Sequence, residues 1–186
     1  MISRKYSEVI VLTRKRPAQI VTLLMMIFTI AGIIGFIYET ICGYINEGYF
    51  FKRGTTFGPW IPIYGIGALL ILALTFKVRK KPLIVFLIAT VACGLLELVS
   101  GYIFDRFFHM RLWDYTGVIW NWGNINGYIC LRSVLTWGVF GMLLMYGILP
   151  PLEKFQKKNK TAFNIVTIAL FGLFLLDIVL SYTVRK

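Results

Sequence analysis

Apolar stretches separated by short charged segments run the length of the chain, and five of them approach the roughly 20 residues that cross a hydrocarbon core about 30 Å thick. They cover residues 20–45, 59–76, 83–104, 131–149 and 163–183. This pattern predicts an all-α integral membrane protein, a five-helix transmembrane bundle over residues 20–183. The second stretch is short and opens Gly58-Pro59-Trp60-Ile61-Pro62-Ile63-Tyr64-Gly65-Ile66-Gly67. A span with a broken entrance is expected there, since irregular backbone survives at membrane depth only where protein or a wet cavity covers it. Ahead of the first span lies a basic segment, residues 1–19, whose part Met1 to Thr13 alternates charge with Val, Ile and Leu as a short amphipathic helix on the inner leaflet would. A cleaved signal peptide fits this end poorly: the apolar run is longer than an h-region, lacks a small-x-small site and carries Glu39 near its end.

Composition agrees and narrows the class. The 186 residues are 58% hydrophobic and 15% charged, too few charges to cover a soluble globule. A net charge of +12 raises nucleic acid as a partner, yet the cations sit between apolar runs instead of along one basic face, which argues against it. They are also unevenly divided. Thirteen of the twenty Lys and Arg precede span one or lie in the links between spans two and three and between four and five. Because cytoplasmic segments are enriched in Lys and Arg, the N-terminus is expected inside and the C-terminus outside. Cys42, Cys93 and Cys130 are scattered without a Cys-x-x-Cys pair, and His109 is the sole histidine. Neither a metal site nor a disulfide framework is predicted, no cofactor is implied, and the cysteines are expected to pack.

An internal correspondence links the exits of spans one and three: Glu39-Thr-Ile-Cys-Gly43-Tyr44-Ile45-Asn46-Glu47 and Glu97-Leu-Val-Ser-Gly101-Tyr102-Ile103-Phe104-Asp105. Both read Glu-x-x-x-Gly-Tyr-Ile-x-acid, at the same depth of spans running the same way. Duplication of a two-helix unit, with the fifth span added, would produce this. Helical spacing places Gly32, Gly35, Glu39 and Gly43 on one face of span one, and Thr90, Gly94, Glu97, Gly101 and Asp105 on one face of span three. Small residues let helices approach closely, which would make these faces packing surfaces. A carboxyl group in hydrocarbon is costly and normally faces a bundle interior or cavity, so the glutamates also predict a shared polar site in the outer half of the bilayer. Asp177 in span five is a third such acid, expected either to pair with a neighbouring helix, to snorkel outward or to join the site.

The two outer loops carry the remaining chemistry. In the first, Lys52 and Arg53 are available to Glu47 or to a substrate anion. Trp113, Trp120 and Trp122 in the second suit an interfacial aromatic belt. Asp114, between Trp113 and Tyr115, could hold a cation by charge and ring contact, or clamp Arg111 or Arg132. The residues put forward for substrate binding are therefore Glu39, Glu97, Asp105, Asp114, Trp113, Tyr115, Arg53, Arg111, Arg132 and Tyr64.

Lys52-Arg53-Gly54, Gly58-Pro59, Pro62-Ile63-Tyr64-Gly65, Glu97 with Gly101, Leu112-Trp113-Asp114-Tyr115, Asn126-Gly127-Tyr128-Ile129-Cys130-Leu131 and Trp137-Gly138 form a set that resembles the family of small bacterial membrane proteins named "Putative ABC-transporter type IV", or CmpB-like. The resemblance runs from about span one to Pro150-Pro151, and departs from the family pattern at Thr55-Thr56-Phe57 and in the Gly117 to Gly123 stretch. It implies a bacterial cytoplasmic membrane and a role in transport. No Gly-x-x-x-x-Gly-Lys-Ser/Thr loop occurs, so an ATPase would be a separate subunit docking on the basic cytoplasmic loops, and five spans imply a homo-oligomer as working unit. The leading expectation is a permease or permease-like subunit. Two alternatives stay open. One is a membrane-embedded enzyme on a lipid or lipid-linked substrate, using the acids with Lys52, Arg53, Arg111 or Arg132 on a phosphate, although no nucleophile motif accompanies them. The other is a non-catalytic accessory or sensor subunit.

Overall fold

The structure is a computed structural model that describes residues 16–184; the expected amphipathic segment Met1 to Thr13 lies outside them. Among the described residues five apolar helical rods form and no β-strand does. Helix α1 (Pro17–Glu47) starts where Pro17 costs no hydrogen bond and the Gln19 side chain accepts the Arg16 N–H at 3.0 Å. It stops at Gly48, whose left-handed φ of 79° only a glycine adopts freely and whose N–H returns to the Tyr44 carbonyl. Helix α2 (Pro62–Thr75) begins on a proline too, as does α3 (Pro82–Phe108). The third rod, Leu131–Lys158, consists of α4 (Leu131–Met142), a π-helical stretch Leu143–Ile148 and α5 (Leu149–Lys158). Helix α6 (Lys160–Val184) completes the chain.

Four of the rods are long and apolar enough to cross a membrane, whereas the second, Pro62–Val78, is a shorter apolar helix. The second is the short stretch with a broken entrance that the sequence singles out, and the cause of its shortness lies in loop 48–61. Instead of staying at the surface it dives along α1 until the Ile61 N–H donates to the Gly32 carbonyl at 3.1 Å. Gly32 is midway along α1, roughly 22 Å from either end at 1.5 Å per residue. Helix α2 therefore starts at mid-depth, and above it the loop lies along α1.

The third rod runs past the Pro150-Pro151 pair at which the span was expected to end. Two adjacent prolines lack the N–H groups of a regular ladder and crowd the carbonyls one turn back. The widened turn at Leu143–Ile148, immediately before them, lets the helix continue. At that end of the bundle Gln156 donates to the Gln19 carbonyl at 2.8 Å, while at the other Ser181 of α6 accepts the Phe57 N–H at 2.9 Å. The start of α1 and the finish of α6 are thus at opposite ends. Helix α3 packs most extensively on α4, α1 on α2, and α6 leans on α1 and α5.

The glycine faces read from helical spacing are used as predicted, with loop segments as partners alongside helices. Gly32 lies against Trp60 and Ile61, Gly35 against the Tyr64 ring, and Gly43 against Phe51 and Arg53. On α3, Gly94 meets Val134 and Gly101 meets Trp113 and Tyr128. Cys93 and Cys130 are buried packing residues, and Cys42 is half-buried.

Candidate functional site

Each of the two glutamates is held by the helix that follows it in sequence and by a loop. Glu39 of α1 accepts from the Tyr64 hydroxyl of α2 at 2.7 Å and from Arg53 Nη2 of loop 48–61 at 3.2 Å, the latter an ion pair. Glu97 of α3, only 5% exposed, accepts from the Tyr115 hydroxyl of loop 109–130 at 2.7 Å and from the Trp137 indole of α4 at 3.3 Å. The two arrangements then meet: the Tyr64 and Trp137 rings stack at 4.9 Å between centroids. One connected path, Arg53–Glu39–Tyr64–Trp137–Glu97–Tyr115, consequently joins both loops and four helical elements.

The glycine after each aromatic serves the same purpose. Gly65 lies against Phe28, and Gly138 against Phe86 and Thr90. A side chain in either place would push the Tyr64 or Trp137 backbone away from its glutamate. Phe28 and Phe86 each precede their glutamate by the same interval, so the correspondence extends further along the chain than the exit motif alone.

Both carboxyl groups line a single cavity of about 500 Å3, a volume typical of small-molecule sites. Arg53, Tyr64, Arg111, Trp113 and Tyr115 line it as well, so the structure brings together seven of the ten residues put forward. Asp105, Asp114 and Arg132 are not among its lining residues. Asp105 and Asp114 belong instead to a clamp on Arg111, at 3.5 and 3.1 Å. The same guanidinium donates to the Asn126 carbonyl and lies over the Tyr128 ring, whose hydroxyl donates to Asp105 at 2.8 Å. Hydrogen bonds from the Thr116 hydroxyl and N–H, with Arg111 beside them, hold the Asp114 carboxyl below the usual aspartate range. Burial pushes the Tyr115 hydroxyl well above the usual tyrosine range, which keeps it a donor to Glu97. Arg132 is half-buried at the start of α4, its Nε without a hydrogen-bond partner.

Two assignments shift. Arg53 pairs with Glu39 and not with Glu47. Asp177 neither pairs with a helix nor snorkels: its carboxylate accepts the N–H groups of Phe57 and Gly58 at 3.1 and 2.9 Å and the Trp60 indole at 2.7 Å. It anchors the descending loop. Sequence reasoning passed over Trp137 as a site residue, although an indole in mid-helix one turn from Ser133 is a hydrogen-bond donor that must find an acceptor in apolar surroundings.

Among the described residues, no group of three or more His, Cys, Asp or Glu side chains is placed to hold a metal ion. No curated protein and no solved structure matches the chain. A family model does, over residues 26–182, which include every residue of the glutamate path. By that match the chain belongs to the family described as "Putative ABC-transporter type IV".

Proposed function

We propose that the chain is a permease or permease-like subunit of a transport system, in which Glu39 and Glu97 form the polar site of the outer half of the bilayer. The observation that carries this is the convergence of both carboxyl groups on one cavity roofed by the two long loops. A carboxyl group in hydrocarbon is expected to mark a substrate or ion path. These two reach theirs through matched aromatic partners, which a packing role alone does not require. In this reading the two-helix unit is duplicated, as in the many transporters that place substrate between internal repeats. Here the repeats would meet at the Tyr64–Trp137 stack.

In this reading the protein sits in a bacterial cytoplasmic membrane with the cation-rich links inside, so that the cavity opens outward. A separate ATPase subunit would dock on the links holding Lys77 to Lys81 and Lys154 to Lys160, and two or more copies would form the working unit. The test is complementation of a deletion strain, scored as resistance across a panel of amines and toxic cations. Glu39→Gln with Glu97→Gln, at wild-type membrane abundance, is expected to lower resistance at least tenfold. Full complementation by the double variant would overturn the proposal.

A further inference from the structure

The cavity has an apolar side that a water-filled ion path would not need. Leu96, Ser100 and Phe104 recur every four residues on α3, a partly exposed stripe between the packed face of Glu97 and Gly101 and the exposed Leu95, Val99 and Ile103. Tyr182 of α6, 58% exposed, and Ile63 and Ile66 of α2 line the same cavity. Helix α2 begins at mid-depth and α6 leans on α1 and α5 instead of α3, and side chains of both α3 and α6 line the cavity, with Lys52 to Thr55 of the descending loop beside them. In the membrane placement of the permease reading, the exposed Leu95, Val99 and Ile103 beside that stripe would meet the lipid tails of one leaflet.

The charges of the lining discriminate between ligands. Arg53 is committed to Glu39, Arg111 to Asp105 and Asp114, and the Lys52 ammonium donates to the Phe57 carbonyl at 2.7 Å. Glu97 has neutral partners only, Tyr115 and Trp137, and no cation pairs with it among the described residues. Glu97 shares the cavity lining with Trp113, Trp137, Tyr64 and Tyr115, and a carboxyl group in an aromatic-lined cavity is the composition that suits an ammonium group.

Resting on the permease reading, we infer that the cavity takes an amphiphilic cation, an ammonium headgroup at Glu97 with its alkyl portion leaving sideways between α3 and α6 into the outer leaflet. The test is equilibrium binding of methylammonium, octylammonium and dodecyl phosphate to the full chain in phosphatidylcholine nanodiscs, with partition into empty discs subtracted. Octylammonium is expected to bind saturably and at least tenfold tighter than methylammonium, and Glu97→Gln to cost it tenfold or more. Ser100→Trp and, separately, Leu96→Trp should flatten the dependence on chain length; the second variant guards against misfolding of the first. Equal binding of methylammonium and octylammonium, untouched by either Trp variant, overturns lateral entry and leaves the permease reading standing. Preference for dodecyl phosphate overturns the cationic headgroup. Binding of none of the three overturns the inference whole, while the complementation result for the double Gln variant decides the permease reading by itself.

Discussion

At Gly35 the missing side chain is what admits the Tyr64 ring to the surface of α1, and with it the hydroxyl that reaches Glu39. A methyl group there collides with the ring itself, not with a flexible tip. Gly35→Ala is expected to destabilise the folded protein by about 1–3 kcal/mol, the usual cost of overpacking. Gly172→Ala, a helical position with open space around it, should be neutral or slightly stabilising. Thermal unfolding of both variants in the same detergent checks the contrast; equal melting temperatures would mean that Tyr64 is not seated on Gly35. Asp114 permits a prediction in pH. Its carboxyl titrates below the usual aspartate value of about 3.9. Its contribution is thus complete above that value and fades as pH falls through the lower folded value. Hydrogen exchange at the Thr116 N–H, corrected for intrinsic rate, should accelerate in that acid window, and Asp114→Asn should already be fast above it. A flat profile in the wild type would show that the Thr116 and Arg111 contacts do not restrain the loop.

At the scale of elements, the descending loop is held by side chains of a helix remote in sequence, Asp177 above all, with Ser181 taking the Phe57 N–H as well. Asp177 accepts three donors from the loop, two backbone N–H groups and the Trp60 indole, besides the Ser181 hydroxyl of its own helix at 3.5 Å, and a hydrogen bond to a charged group contributes about 1.5–3 kcal/mol. Asp177→Asn keeps the shape and one acceptor oxygen but loses the charge. Residues 54–61 are expected to lose at least tenfold in exchange protection while the middle of α3 keeps its own; protection unchanged over residues 54–61 would remove Asp177 from this role. The sequence made the helices legible because apolar length is a strong signal and Pro17, Pro62 and Pro82 mark starts. Helical spacing also gave the glycine faces and the inward direction of Glu39 and Glu97. It could not give the path of loop 48–61, whose Gly and Pro residues announce irregular backbone without saying how deep it goes. That depth is set by the Ile61–Gly32 hydrogen bond and the Asp177 anchor, both long-range. The Arg111 clamp was one of two options for Asp114 for the same reason: spacing shows proximity along the chain, whereas Asp105 and Tyr128 come from elsewhere.

For the whole molecule, the arrangement of ends constrains topology and, through it, the side from which the cavity is reached. Loops 48–61 and 109–130 share one end with the finish of α6, while the start of α1, residues 79–81 and Asn159 share the other. Any single orientation in a membrane must therefore expose the two loops together and hide the basic turns together. The uneven division of cations favours the turns inside, because moving Lys and Arg across during insertion is the costly step. With Cys42, Cys93 and Cys130 replaced by Ser, single cysteines at exposed Trp122 and at Lys157 report on opposite faces. A membrane-impermeant maleimide added to intact cells is expected to label Trp122→Cys directly and Lys157→Cys only after permeabilisation. The reverse pattern would turn the cavity toward the cytoplasm. Labelling of both from one side would break the antiparallel order of the helices, since Gln156 and Ser181 could not then be at opposite ends.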